Sequence, residues 1–223
     1  NLVNINENID CGDGEYNFDG RVIHDSSAHR NLTFSEVIEK SSNIGIVKFA
    51  RRLDNDTLYR YIRAFGLCDK TGIELPEMVG NIRATKYWSK HSMSAIPFGQ
   101  EISVTPLQML CAVNAIANDG VIMKPSIVRS IIDGKESNKE FIPKEARKPI
   151  TPKTARIMRN ILTRAVENGT GSNAKVDGYK VAGKTGTSQK ASQRYKGYLH
   201  GKYISSFVGF LPADNPFISI IVV

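Results

Sequence analysis

Three strand-like stretches crowded at the end of the chain restrict its fold more than any other feature. Gly178 to Thr187, Tyr203 to Leu211 and Phe217 to Val223 each read as strand, and only Pro212-Ala213-Asp214-Asn215-Pro216 separates the last two. A parallel pairing needs a crossover of about a dozen residues or more, so this short connection forces an antiparallel hairpin. Ahead of the strands the pattern is mostly helical. Thr33 and Glu36 form a capping-box pair before Phe34, Val37 and Ile38, and that helix is expected to stop near Lys40. The apolar run Ile44 to Ala50 reads as a buried helix after the polar corner Ser41-Ser42-Asn43. Asn55 to Phe65 reads as a helix with Leu58, Tyr61, Ile62 and Phe65 on its packed face and Gly66 as its cap. Thr105-Pro106-Leu107-Gln108 opens another, ended by Gly120, with Leu107, Leu110, Cys111 and Ala115 toward the core. The last opens at Thr151-Pro152, carries the stripe Ile157/Met158, Ile161, Leu162 and Ala165, and closes at Gly169.

Helices first and a short sheet afterwards predict a mixed α/β (α+β) domain, an antiparallel sheet flanked by helices, spanning 1–223 as one unit. Residues 1–31 are expected to be loop and short hairpin, 121–133 strand-rich, and 134–149 a charged surface excursion. The long irregular stretch 67–104, with Pro76 and Pro97, has the extent that usually belongs to a substrate cleft or lid.

Composition narrows the function. Of the 223 residues, 41% are hydrophobic and 23% charged, which fits a folded domain and excludes a disordered chain. No apolar run reaches the ~20 residues that span a bilayer, so any signal or anchor is expected outside this sequence. The chain opens at Asn1 without methionine and stops at Val223 in mid-strand, as a piece of a longer protein does. The formal charge of +8 is scattered, with no aromatic-studded basic stripe, so no nucleic-acid partner is expected; an anionic envelope polymer suits it better. Cys11, Cys68 and Cys111 are odd in number and lack CxxC spacing, and the four histidines lack ligand spacing, so neither metal nor cofactor is predicted.

The densest chemistry lies in Val181-Ala182-Gly183-Lys184-Thr185-Gly186-Thr187-Ser188-Gln189-Lys190, a cation, two threonine hydroxyls and two glycines on a strand. Such a strand can accept a peptide as an added edge, with Lys184 and Thr187 meeting its carboxylate end and Gly186 leaving the backbone bare. Gly178-x-x-x-x-Gly183-Lys184-Thr185 also matches the phosphate-binding P-loop formula. A P-loop needs a helix to start at the lysine, and Thr187 to Gln193 makes a poor one. Lys70-Thr71-Gly72, followed by Ile73-Glu74-Leu75-Pro76, reads as a turn. Ser172-Asn173-Ala174-Lys175 has the Ser-x-x-Lys spacing of a nucleophile and its base but follows a helix-ending glycine and reads as loop. On local grounds Ser42 or Asn43 could simply cap the following helix.

Taken in order, Ser41-Ser42-Asn43, then Val181 to Thr187, then Ser205-Ser206-Phe207-Val208-Gly209-Phe210-Leu211-Pro212-Ala213 resemble the transpeptidase domain of penicillin-binding proteins, most of all the class B, monofunctional kind. Gly72 to Pro76, Ser103 to Gln108 and Gly169-Thr170-Gly171 match the family's manner as well. The resemblance implies a penicillin-binding, β-lactamase-like fold, incomplete at both ends, and a peptidoglycan D,D-transpeptidase inhibited by β-lactams. A serine would attack the carbonyl between two terminal D-alanines of a stem peptide and pass the acyl group to an amine on a neighbouring stem. It implies Ser41 in a proton relay, Asn43 on the substrate amide, and Lys184 as the fixed charge of the cleft. Thr185, Gly186 and Thr187 would hold the substrate, with Thr187 N–H as an oxyanion donor. Other cell-wall synthesis or divisome proteins are implied as partners, at the periplasmic or outer face of the cell membrane, behind an N-terminal anchor.

In the family the nucleophile and its lysine come from Ser-x-x-Lys upstream of Ser-x-Asn, and no such motif precedes Ser41. The helix carrying it is therefore expected outside this sequence, and residues 1–223 alone are expected to be inactive. Two rivals stay open on the residues: a serine β-lactamase or β-lactam sensor, although no glutamate loop for deacylating water is found, and a non-catalytic module that binds D-Ala-D-Ala peptides.

Overall fold

The computed structural model describes residues 3–132, 138–192 and 197–223. Short strands come first: β1 (Asn8–Asp10), β2 (Glu15–Phe18), β3 (Arg21–His24) and β4 (Asn31–Thr33). β2 and β3 form an antiparallel hairpin, and β1 pairs with β4, which leads directly into α1 (Phe34–Lys40). Thr33 and Glu36 make the full capping box expected of them, satisfying amide groups that the first helical turn leaves open. Ser41 ends α1 in the left-handed region (φ 60°, ψ 41°), so the chain turns sharply into α2 (Asn43–Ala50). Val37, Ile44, Val47 and Phe49 from the two helices, with Phe18, Ile23 and Leu32 from the strands and Cys11 just after β1, form one buried core.

α3 (Asn55–Ala64) follows and contributes no fully buried residue. Tyr61, expected on its packed face, is 48% exposed; Leu58 and Ile62 alone of that set pack, against the small cluster of Cys68, Ile82 and Ile96. Paired β5 (Asn81–Ile82) and β6 (Ile102–Ser103) then bracket three single-turn 3-10 helices. α4 (Pro106–Ala117) has the capping box and first-position proline that its sequence announces. Its buried residues are Gln108, Ala112, Ala115 and Ala117, while Leu107, Leu110 and Cys111 are only half-buried. The α4 residues that pack toward the sheet are Val113, Ile116 and Ala117.

The strand-rich expectation for 121–133 reduces to β7 (Ile122–Met123) and β8 (Ser130–Ile132); Asp133 and the start of the surface excursion, 134–137, lie outside the described residues. β9 (Asn138–Glu140) pairs with β8, and β10 (Glu145–Arg147) with β7. α5 (Pro152–Glu167) buries Ala155, Ile161, Leu162, Ala165 and Val166.

The principal sheet is β11 (Ala182–Ala191), β12 (Tyr198–Leu211) and β13 (Ile218–Val222), antiparallel and in that order, with Lys184 opposite Val208 and Phe210 opposite Ser219. The short Pro-bounded connection does produce the hairpin. β11 begins at Ala182 and not at Gly178, because Gly178 sits at φ 79° in a turn closed by a Val176–Tyr179 bridge. β12 starts earlier than expected, at Tyr198. Helices α4 and α5 cover one face of this sheet, with Ala117, Leu162, Ala182, Phe210 and Ala213 buried between, and α1 packs on α5. That chain of contacts sets the end of α1 beside β11.

Candidate active site

Three segments of chain converge at one end of this stack. Ser41 and Asn43 come from the α1–α2 corner, Thr170 from the turn after α5, and Lys184 to Thr187 from β11. Together they line a cleft of about 590 Å³, whose apolar side is Val37, Ile38, Ile46, Pro97 and Phe98. Of the long irregular stretch 67–104, Pro97 and Phe98 are the residues on this cleft; the Ile82, Ile96 and Trp88 side chains pack against α3 instead.

Lys184 is the centre of the polar side. Its Nζ donates to Ser41 Oγ at 3.0 Å, to Thr170 Oγ1 at 3.1 Å and to the Thr185 carbonyl at 3.1 Å. Thr185 Oγ1 in turn donates to Thr170 Oγ1 at 2.9 Å. Among the described residues no carboxylate pairs with this ammonium. Its exclusion from water holds its pKa down to about 8, from an ordinary 10.5. A partly desolvated cation surrounded only by hydroxyls and a carbonyl is a prepared site for an anion.

The α1–α2 corner is fixed from two sides. Ser42 is buried, its Oγ accepting from Gly45 N–H at 2.9 Å as the α2 cap and donating to Asp25 Oδ2 at 2.6 Å. Asn43 Nδ2 donates to the His24 carbonyl at 2.9 Å. The local capping reading therefore holds for Ser42, while its neighbours Ser41 and Asn43 border the cleft. On the opposite wall β11 is the edge of its sheet, so the backbone groups of every second residue face away from β12 and remain available for pairing. Gly186 and Thr187 are exposed on that edge, as a peptide-accepting strand needs. Gly183 serves packing: a Cβ there would lie 2.4 Å from the Phe207 ring.

Thr170 escaped the sequence reading as a site residue, although its Gly-Thr-Gly setting was visible. The reason for the first glycine is a close approach. A Cβ on Gly169 would come 2.3 Å from the Glu39 carbonyl, so only glycine lets the end of α5 touch the end of α1 and bring Thr170 to Lys184. Of the three decoys, the P-loop fails because Lys184 lies inside a strand and not at a helix start. Ser172 and Lys175 are exposed on a single 3-10 turn and do not line the cleft. Lys70-Thr71-Gly72, expected to be a turn, lies in irregular chain with Gly72 in the left-handed region at φ 81°. Among the described residues, no three or more His, Cys, Asp or Glu side chains are gathered closely enough to hold a metal ion.

A family model, the penicillin binding protein transpeptidase domain, matches residues 1–223. The chain is 39% identical over 191 residues to the stage V sporulation protein D of Bacillus subtilis, covering 84% of this chain and 29% of that protein. It is 35% identical to the penicillin-binding protein PbpB of Mycolicibacterium smegmatis, over 91% of this chain and 33% of the relative. It thus spans about a third of the length of these curated relatives. Among solved structures, penicillin-binding protein 3 of Mycobacterium tuberculosis in complex with aztreonam superposes with a TM-score of 0.91 at 33% identity, over 99% of this chain and 51% of that one. The transpeptidase domain of penicillin-binding protein 3 from Burkholderia pseudomallei gives 0.87 at 34%, over 98% and 64%. With a family model matching the whole chain and relatives and solved structures above 30% identity sharing its sequence and fold, the chain belongs to the penicillin-binding protein transpeptidase domain family.

Proposed function

We propose that residues 1–223 supply one side of the active cleft of a serine-type peptidoglycan D,D-transpeptidase that β-lactams inhibit. The observation that carries this reading is Lys184, a cation that no carboxylate among the described residues pairs with, set beside an open strand edge in a cleft. An extended stem peptide ending in D-Ala-D-Ala adds to β11 through its main chain, and its terminal carboxylate meets Lys184, Thr185 and Thr187. Asn43 hydrogen-bonds the substrate amide. Ser41, in contact with Lys184, belongs to the relay that moves the proton, and Thr187 N–H is a donor to the oxyanion.

The attacking serine and its lysine belong to a Ser-x-x-Lys segment beyond these residues. That serine forms an ester with the penultimate D-alanine carbonyl, the C–N bond to the last D-alanine breaks, and the leaving amine takes a proton. An amine of a neighbouring stem then displaces the serine and closes the cross-link. A β-lactam presents its own amide and carboxylate to the same groups; the complexes of the mycobacterial penicillin-binding protein 3 with aztreonam and ampicillin support this. Such a protein works on the outer side of the cell membrane with other cell-wall or division proteins. No helix among the described residues is long and apolar enough to cross a membrane, so in this reading the anchor also lies beyond them.

The test is fluorescent penicillin. Full-length protein is expected to take up label covalently and stoichiometrically, and residues 1–223 alone are expected to take up none. An unlabelled full-length protein overturns the reading, and a labelled fragment returns attention to a serine within it.

A further inference from the structure

The Ser41-Ser42-Asn43 corner is held in place by a residue that none of the cleft motifs contains. Asp25, just after β3, spends both carboxylate oxygens on that corner: Oδ2 accepts the Ser42 hydroxyl proton at 2.6 Å, and Oδ1 accepts Ile44 N–H at 3.0 Å. Its own N–H is tied to the Gly14 carbonyl at 3.0 Å, which fixes it to the turn before the β2–β3 hairpin. The preceding residue completes the clamp, since the His24 carbonyl takes the Asn43 side-chain N–H. Only the amide nitrogen of Asn43 can donate to that carbonyl, so Asn43 Oδ1 is turned away from His24. Residues 24 and 25 thus bind all three residues that follow Ser41: Ser42 by its side chain, Asn43 by its side chain and Ile44 by its main chain.

Helix capping alone does not require this arrangement. Ser42 already caps α2 by accepting Gly45 N–H. A serine cap leaves its hydroxyl proton free to rotate, and here Asp25 Oδ2 at 2.6 Å is the nearer and stronger acceptor for it, with Cys11 Sγ at 3.6 Å. The charge also lies at the α2 N-terminus, where the helix dipole favours an anion. The outcome is a corner with a fixed backbone and a fixed Asn43 amide, one residue from the Ser41 hydroxyl that contacts Lys184.

We infer that Asp25 is a positioning residue for the reaction in this cleft, acting through Ser42 and the α2 N-terminus to hold Asn43 and Ser41 in their working geometry. The inference rests on the function proposed above. A displacement of about 1 Å at a reacting or binding group can lower a rate on the order of a hundredfold, and loss of both clamp bonds permits a shift of part of that size. Asp25→Ala is therefore expected to lower the penicillin acylation rate at saturation about tenfold. Asp25→Asn keeps one acceptor for Ile44 N–H and can donate to Ser42 Oγ, so it is expected to restore most of the rate.

The experiment uses full-length protein, with acylation followed against penicillin concentration well below each variant's melting temperature. The inference is supported if Asp25→Ala is slow at saturation, Asp25→Asn is close to wild type, and Asp25→Ala with Ser42→Ala is no slower than Asp25→Ala alone. Additive losses in that double variant, or an Asp25→Ala protein that melts lower yet acylates at the wild-type rate, overturn it. If Asp25→Ala does not fold, Ser42→Ala decides: an unchanged rate overturns the inference and a slower one supports it. A wild-type protein that takes no label overturns the proposed function first; a labelled wild type with unaffected variants removes the inference alone.

Discussion

The chain carries Lys-Thr-Gly twice, and the two copies have opposite fates. At residues 70–72 the chain is irregular, with Gly72 at φ 81°, and its donors converge. Thr71 N–H, Thr71 Oγ1 and Gly72 N–H all reach the carboxylate of Glu77, each at 2.8 Å. Those bonds, the Thr71 N–H foremost, hold the Glu77 carboxyl below its ordinary value. The anion site is complete and its anion belongs to the protein. At residues 184–186 the same three residue types lie in an extended strand, and the internal partner that Lys184 Nζ and Thr185 Oγ1 share is the Thr170 hydroxyl, not an anion. Lys184 is left among hydroxyls, lining an open cleft. Backbone conformation, and not the triplet, decides whether such a motif closes on itself or waits for a ligand.

The comparison breaks most clearly at the lysines. In full-length protein, Lys184→Ala is expected to slow penicillin acylation by on the order of 10² or more, the effect of removing one preorganised donor to a developing anion, whereas Lys70→Ala leaves the rate within about twofold. Equal losses in both variants would end the distinction. Thr187→Val keeps the side-chain shape and deletes a hydroxyl on the same edge, so its loss is smaller, about 1.5 kcal/mol or roughly tenfold, measured in the same assay. A P-loop reading predicts nucleotide binding that Lys184→Ala abolishes; titration with a nucleoside triphosphate is expected to show none.

Acidity sharpens the contrast. Lys184 is charged below about pH 8 and neutral above it, so the part of acylation that depends on its charge is expected to fall about tenfold by about pH 9. The sign for stability is the reverse. The folded value lies below the unfolded 10.5, so between about pH 8 and 10.5 the unfolded chain holds more protons, and this group's contribution to stability rises with pH. The melting temperature of the wild type relative to Lys184→Met should climb across that window, and a flat difference would contradict a desolvated ammonium. The smallest effect belongs to the closed copy: Glu77→Ala is expected to lower the melting temperature by a few degrees and to leave acylation unchanged.

Local chemistry made much of this fold legible. The capping boxes at Thr33 with Glu36 and Thr105 with Gln108 involve neighbours in sequence, and the short Pro212–Pro216 link leaves the hairpin no alternative. Ser41, Asn43 and Lys184 to Thr187 were legible through their motifs, and the structure brings them to one cleft. Thr170 and Asp25 were not, because their roles rest on partners from distant parts of the chain: Lys184 and Thr185 for one, Ser42 and Ile44 for the other. The exposed Tyr61 was misread for a related reason, since an amphipathic pattern does not say how wide the packed stripe is.

The contact at Gly169 has a mechanical consequence. The Glu39 carbonyl lies where a side chain on residue 169 would be and also receives Thr170 N–H at 3.4 Å, so the ends of α1 and α5 touch backbone to backbone. Ser41 leaves one end and Thr170 the other. With no side chain between the two helix ends to act as a cushion, neither hydroxyl can slide past the other without parting the main chains that carry them. Ser41, Thr170 and the lysine they share therefore travel as a single fixed jaw. The short turn of helix that carries Pro97 and Phe98 is braced on the same side, because Phe98 packs against the core that α1 and α2 share.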